Sequence, residues 1–175
     1  MFSVGAKENT MKYWRMPVYV LSLLIITFNA HAEKPYVSMR ALTPEMANKV
    51  AVSAAQACRK QGYQVAVAVV DRAGNLLAFL RDPLSGAHTI AVSQRKAYTS
   101  ATYQVASGEM LGNQDMRFTP GVILLRGGLP IRVAGQFYGA VGVSGAPAKK
   151  KVGDADEECA QAGINAIKDA LEFAE

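Results

Sequence analysis

The sequence is poor in the residues that most often build metal and hydrolytic sites. It has two histidines, two cysteines and one tryptophan among 175 residues. Cys58 and Cys159 lie far apart and do not form a zinc-type ligand spacing with either histidine. No serine stands in a G-x-S-x-G pattern, and a hydrolytic triad needs a histidine close to its nucleophile. The residues therefore offer no recognisable catalytic set, and the sequence does not decide whether the protein is an enzyme.

The sequence also lacks a strong excess of charge. Its formal net charge is +5, and charged residues make up 19% of the chain. The basic residues are scattered except for Lys149-Lys150-Lys151, which we interpret as a solvated loop, with a binding patch as the alternative. A nucleic-acid-binding protein would carry a clustered basic surface. We therefore expect no nucleic acid as a partner.

No apolar run is long enough to span a bilayer as a helix. The longest, Val18 to Phe28, falls well short of the roughly 20 residues required. Lys12 and Arg15 precede it, and the small-x-small sequence Ala30-His31-Ala32 follows. These are the three regions of a secretory signal peptide.

We therefore interpret residues 1–32 as an N-terminal extension and cleavable signal peptide, with cleavage before Glu33. Residues 33–175 then form the mature domain, which we expect to be periplasmic or secreted. An uncleaved membrane anchor is the alternative. After cleavage no membrane span would remain.

The mature segment predicts one α+β domain. Apolar residues at helical spacing predict three helices, and β-branched runs bounded by turn residues predict five strands. The first helix begins at Thr43-Pro44 and ends at Gly62. Gly135-Gln136 predicts a tight hairpin turn, and Asp154 and Asp156 are interpreted as charges that favour a helix start. The predicted helices are 43–62, 87–103 and 154–174, and the predicted strands are 65–70, 76–80, 122–125, 131–134 and 137–143.

Short connections make the predicted sheet mainly antiparallel. Helices before, between and after the hairpins would cover both faces of this five-stranded sheet.

Five segments in this order carry a family resemblance. They are the turn Asp71 to Asn75, Lys96-Ala97 in the middle helix, Arg126 to Ile131 (RGGLPI), Gly139 to Gly145 (GAVGVSG), and the aspartates that open the last helix. With this spacing, the chain resembles the GlcG/HbpS family of haem-binding proteins. Ser85 and the lysine-rich loop depart from the family pattern.

The resemblance implies a profilin-like or sensory-domain-like sandwich that self-associates into homo-oligomers, and it implies haem binding in some members. A haem storage, delivery or sensing role outside the cytoplasm is therefore our first hypothesis. A related domain lies beside corrinoid-modifying enzymes. An enzyme or accessory protein acting on a small hydroxy acid or a corrinoid is the alternative.

His88 is the candidate metal ligand, because imidazole is the commonest protein ligand of haem iron and no other histidine lies in residues 33–175. An ordinary surface histidine is the alternative. Arg95 and Lys96 follow on the same predicted helix and could bind haem propionates. For Lys96, an ion pair with an acid such as Asp71 is equally compatible with the sequence.

Gly127, Gly128 and Pro130 complete the predicted cofactor-binding set. Paired glycines permit close backbone approach, and a proline stiffens the exit. They would form a flat wall beside the helix that carries His88, or they would be a turn between strands. Whether Cys58 and Cys159 form a disulfide is open, because two buried thiols are also stable.

Overall fold

The structure is a computed structural model that describes residues 34–149, 151 and 153–174. All of its helices and strands lie in one unit, which begins at Ser38. The predicted signal peptide, residues 1–32, lies outside the described residues. Within them, every helix is too short or too polar to cross a membrane.

The chain alternates helices with two β-hairpins, and short 3-10 helices follow the second long helix. The elements are α1 Pro44–Lys60, β1 Ala66–Val70, β2 Leu76–Arg81, α2 His88–Tyr103, two 3-10 helices at Ser107–Gly112 and Gln114–Phe118, β3 Gly128–Val133, β4 Gln136–Ser144, α3 Asp154–Asn165 and α4 Lys168–Glu172.

The described strands form one antiparallel sheet in the order β2-β1-β4-β3. The α+β class is therefore confirmed, but the prediction of five strands is wrong. Residues 122–125 run beside α2 instead of joining the sheet. Their backbone is held by α2 side chains: Thr99 Oγ1 accepts a hydrogen bond from Ile123 N at 2.9 Å, and Arg95 donates to Val122 O at 2.7 Å.

The second hairpin also differs from the predicted boundaries. β3 begins at Gly128 and runs through Pro130, which pairs with Ala140 of β4, so the predicted break around Pro130 is wrong. The tight turn is Ala134-Gly135, not Gly135-Gln136, because both of its residues have positive φ values of 48° and 76°. Such a turn matches the twist of the two strands that it joins.

Helices cover both faces of the sheet, as predicted. On one face, α1 and α3 pack over β-strand residues that include Val67, Val69 and Val141. On the other face, α2 packs over Ala68 and Ala140.

The backbone of α2 lies close to the sheet because Gly142 has no side chain. A Cβ at this position would overlap the carbonyl oxygen of Ser93. A glycine inside a strand often marks the close approach of another backbone, and here the neighbouring backbone belongs to the same chain.

A disulfide joins the two helices on the first face. Cys58 of α1 and Cys159 of α3 are bonded, with their Cα atoms 5.4 Å apart, and both are fully buried. The pairing that the sequence left open is thus present in the structure. It cross-links positions 101 residues apart.

Candidate functional site

A cleft of about 240 Å³ opens at the N-terminal end of α2, between this helix and the segment that follows β4. We call it the His88 cleft. Its lining residues are His88, Val92, Lys96, Leu125, Arg126, Ser144, Gly145, Ala146, Ala148, Gly153 and Asp156. The helix, the end of the sheet and the start of α3 therefore each contribute one wall.

The floor of the His88 cleft is a buried ion pair. Lys96 Nζ lies 2.7 Å from Asp156 Oδ2, and the two side chains are 3% and 4% exposed. The same ammonium donates to Val143 O at 2.8 Å, while Asp156 Oδ1 accepts from Ala146 N at 2.9 Å. The pair thus links α2 and α3 to the segment that follows β4, and it holds the floor of the cleft in place.

Burial acts against both charges of this pair. It lowers the pKa of Lys96 and raises the pKa of Asp156, because each charged form loses hydration. The attraction and hydrogen bond between the partners oppose these shifts. Each charge therefore depends on the other to remain ionised at this depth.

His88 stands at the rim of the cleft. It is the first residue of α2 and is exposed, and its imidazole lies over Gly86, where a Cβ would come within 2.8 Å of the ring. Glycine at this position leaves space for the ring. The imidazole is accessible to a ligand that enters from solvent.

Arg95 does not share the His88 cleft. Its guanidinium donates to Val122 O at 2.7 Å and to Gly121 O at 3.4 Å. It lines a separate cleft of about 260 Å³ together with Tyr98. The two adjacent cations predicted to act together are therefore separated: Lys96 faces the sheet, and Arg95 holds the segment at 121–122.

The predicted glycine wall is packed directly against α2. A Cβ at Gly128 would overlap the carbonyl oxygen of Lys96, and one at Gly127 would lie 2.9 Å from Lys96 Nζ. No ligand fits between Gly128 and the helix. Pro130 lies farther along β3 and is not among the residues that line the His88 cleft.

Arg126 was missed by the sequence interpretation, although it directly precedes Gly127. It lines the His88 cleft and also a second, acidic cleft that contains Glu157. Among the described residues, the Arg126 side chain has no hydrogen-bond or ion-pair partner. Burial raises the pKa of the half-buried Glu157, while the charge of Arg126 lowers it. Arg126 thus interacts with the charge of Glu157 but makes no hydrogen bond to it among the described residues.

Comparisons with known proteins agree on one family. Residues 42–165 match the family model described as "Haem degrading protein HbpS-like". Protein GlcG of Escherichia coli K12 is 34% identical over 108 residues, which cover 59% of this chain and 81% of GlcG.

Solved structures give the same result. A double mutant of HbpS from Streptomyces reticuli is 35% identical and has a TM-score of 0.69, with 75% of this chain and 90% of that chain covered. A PduOC:heme complex is 22% identical, with a TM-score of 0.65 and coverage of 73% and 96%, and at this identity it supports the fold alone.

Proposed function

This chain belongs to the HbpS-like family of haem-degrading proteins, and we propose from this premise that it binds haem in the His88 cleft. The observation that carries the proposal is the placement of two groups at one cleft. His88 offers an exposed imidazole, and Arg126 lines the same cleft with a guanidinium that makes no hydrogen bond or salt bridge to the residues that the structure describes. Imidazole ligates haem iron, and guanidinium binds propionate.

The residues of the cleft fit one edge of a haem. Val92 and Leu125 supply half-buried apolar surface between the two polar groups. The volume, about 240 Å³, lies below the roughly 300–1,000 Å³ of pockets that enclose drug-sized ligands. A haem would therefore lie partly outside the cleft. When bound, it would supply the redox and oxygen chemistry of its iron.

Replacing His88 by alanine is expected to weaken haemin binding at least about tenfold and to change the Soret band, because the iron would lose its proposed protein ligand. Titrating the purified protein with haemin and recording its absorbance measures both effects. Tyr98→Phe is the matched control, since Tyr98 is a weaker ligand candidate on the same helix but lines the other cleft. Equal affinities and spectra for His88→Ala and the unchanged protein would reject His88 as the ligand.

Export is the second part of the proposal. The Cys58–Cys159 disulfide supports it, because such bonds persist mainly in oxidising compartments. We expect protein from the periplasm or medium to begin at Glu33, as measured by intact mass and N-terminal sequencing. An unprocessed chain recovered from the membrane fraction would favour the anchor instead.

Self-association is also proposed, as the family resemblance implies. Several large apolar side chains are exposed, among them Leu84 at 79% and Phe118 at 73%. Burial of such side chains against a second copy would remove their apolar surface from water. Sedimentation velocity on the purified protein would measure the oligomeric state.

A small hydroxy acid or a corrinoid remains the alternative ligand. The small volume of the His88 cleft favours an organic acid, which would fit inside it whole. Thermal unfolding with haemin, cobalamin and lactate distinguishes these ligands, because a specific ligand raises the melting midpoint according to its concentration relative to Kd.

A further inference from the structure

Three of the cations near the helix that carries His88 are candidate ligand-binding groups, Arg95, Lys96 and Arg126, and the first two are already bound by protein atoms. Arg95 donates to two backbone carbonyls, and Lys96 donates to Asp156 and Val143. A ligand would have to break the bonds of the buried Lys96 to reach it, whereas the exposed Arg95 lines the other cleft. A lost bond would leave a buried group such as the Asp156 carboxylate unpaired, which carries a large free-energy cost.

Arg126 is the third cation, and it needs no such rearrangement. It is half-buried and lines the His88 cleft, and its side chain has no hydrogen-bond or ion-pair partner in the part of the chain that the structure describes. The guanidinium rests beside Gly108, where an added Cβ would come within 3.3 Å of Arg126 Nη1 and 3.3 Å of Glu157 Oε2. Glycine at position 108 therefore leaves space for the Arg126 side chain next to an acid.

We propose that Arg126 is the residue that selects a carboxylate-bearing ligand in the His88 cleft. This inference rests on the proposed function. It assigns the haem propionates to Arg126 instead of to Arg95 and Lys96. The five donors of a guanidinium match the two oxygens of a carboxylate and form paired, charge-assisted hydrogen bonds. His88 would hold the iron, and Arg126 would distinguish an ionised acid from its neutral ester.

The test compares haemin with haemin dimethyl ester, both presented in the same detergent. The unchanged protein is expected to bind haemin about tenfold or more tightly than the ester, as a hydrogen bond to a charged group would give. Arg126→Met is expected to remove this preference by weakening haemin binding alone. Arg126→Lys should keep part of it, because lysine retains the charge but not the paired geometry.

The proposal is overturned if the unchanged protein binds haemin and the ester equally, or if Arg126→Met weakens both to the same degree. The first comparison needs no variant, so a failure of Arg126→Met to fold does not prevent the test. If the unchanged protein binds neither compound, the haem proposal fails. A titration with succinate, followed by the NMR signal of Arg126 Nε–H, then decides the carboxylate claim: a saturable shift supports it, and no shift rejects it.

Discussion

Replacing Lys96 by methionine is expected to lower the free energy of unfolding by about 3–5 kcal/mol at pH 7, because it leaves a buried carboxylate without its partner. Of the hydrogen bonds that the Asp156 carboxylate accepts from the described residues, the one from Ala146 N would remain. The change removes a charge while nearly preserving the length and apolar stem of the side chain. Urea unfolding followed by circular dichroism measures the difference.

The stability that Lys96→Met removes should become smaller as the pH falls. Burial already raises the pKa of Asp156, and Lys96 opposes that rise, so the variant should have a still higher pKa at this carboxyl. Such a carboxyl, whose pKa is higher in the folded than in the unfolded state, destabilises the protein at pH values above its unfolded-state pKa. This destabilisation disappears as the pH falls and the carboxyl becomes protonated in both states. We therefore expect Lys96→Met to be less destabilising near pH 4.5 than at pH 7.

A second substitution separates the unpaired charge from lost packing. Lys96→Met combined with Asp156→Leu is expected to recover much of the stability, since replacing a whole buried ion pair by apolar residues is often neutral. Lys60→Met, at an exposed position of α1, is the control and should change stability by less than about 0.5 kcal/mol. A double variant as unstable as Lys96→Met would contradict this interpretation of the pair.

The sequence was most informative where the signals are local. Thr43 caps α1 by accepting a hydrogen bond from Met46 N at 3.3 Å, and Pro44 occupies the first position of the helix, as its type predicts. The β1–β2 hairpin follows from a turn in which Asp71 accepts hydrogen bonds from its own neighbours, Ala73 and Asn75. These contacts span at most four residues and can be identified from the sequence alone.

Long-range contacts explain what the sequence interpretation missed. Residues 122–125 have the composition of a strand, but the Thr99 side chain and other groups of α2 hold their backbone. Likewise, Lys96 pairs with Asp156, 60 positions later, and not with an acid such as Asp71. Asp156 has the sequence signature of a helix-start charge, so only its burial beside Lys96 identifies its second role. The site thus depends on tertiary packing that no local pattern encodes.

Removing the disulfide is expected to lower the free energy of unfolding about as much as Lys96→Met does. Replacing Cys58 and Cys159 together by alanine should lower the free energy of unfolding by about 4–5 kcal/mol, since a cross-link that closes a loop of roughly 100 residues restricts the unfolded chain strongly. Both positions are fully buried between α1 and α3, so alanine keeps them apolar. Urea unfolding of the oxidised protein and of the double variant measures the loss.

Reduction of the unchanged protein provides an independent control. With dithiothreitol present, it should unfold near the urea concentration of the double variant, while the variant itself should not respond to the reductant. Two titratable thiols in the denatured, non-reduced protein would contradict the bond. Disulfides persist mainly in oxidising compartments, so the stability that this bond supplies depends on the proposed export. A chain retained in the cytoplasm is expected to lack this cross-link and to be less stable by a similar amount.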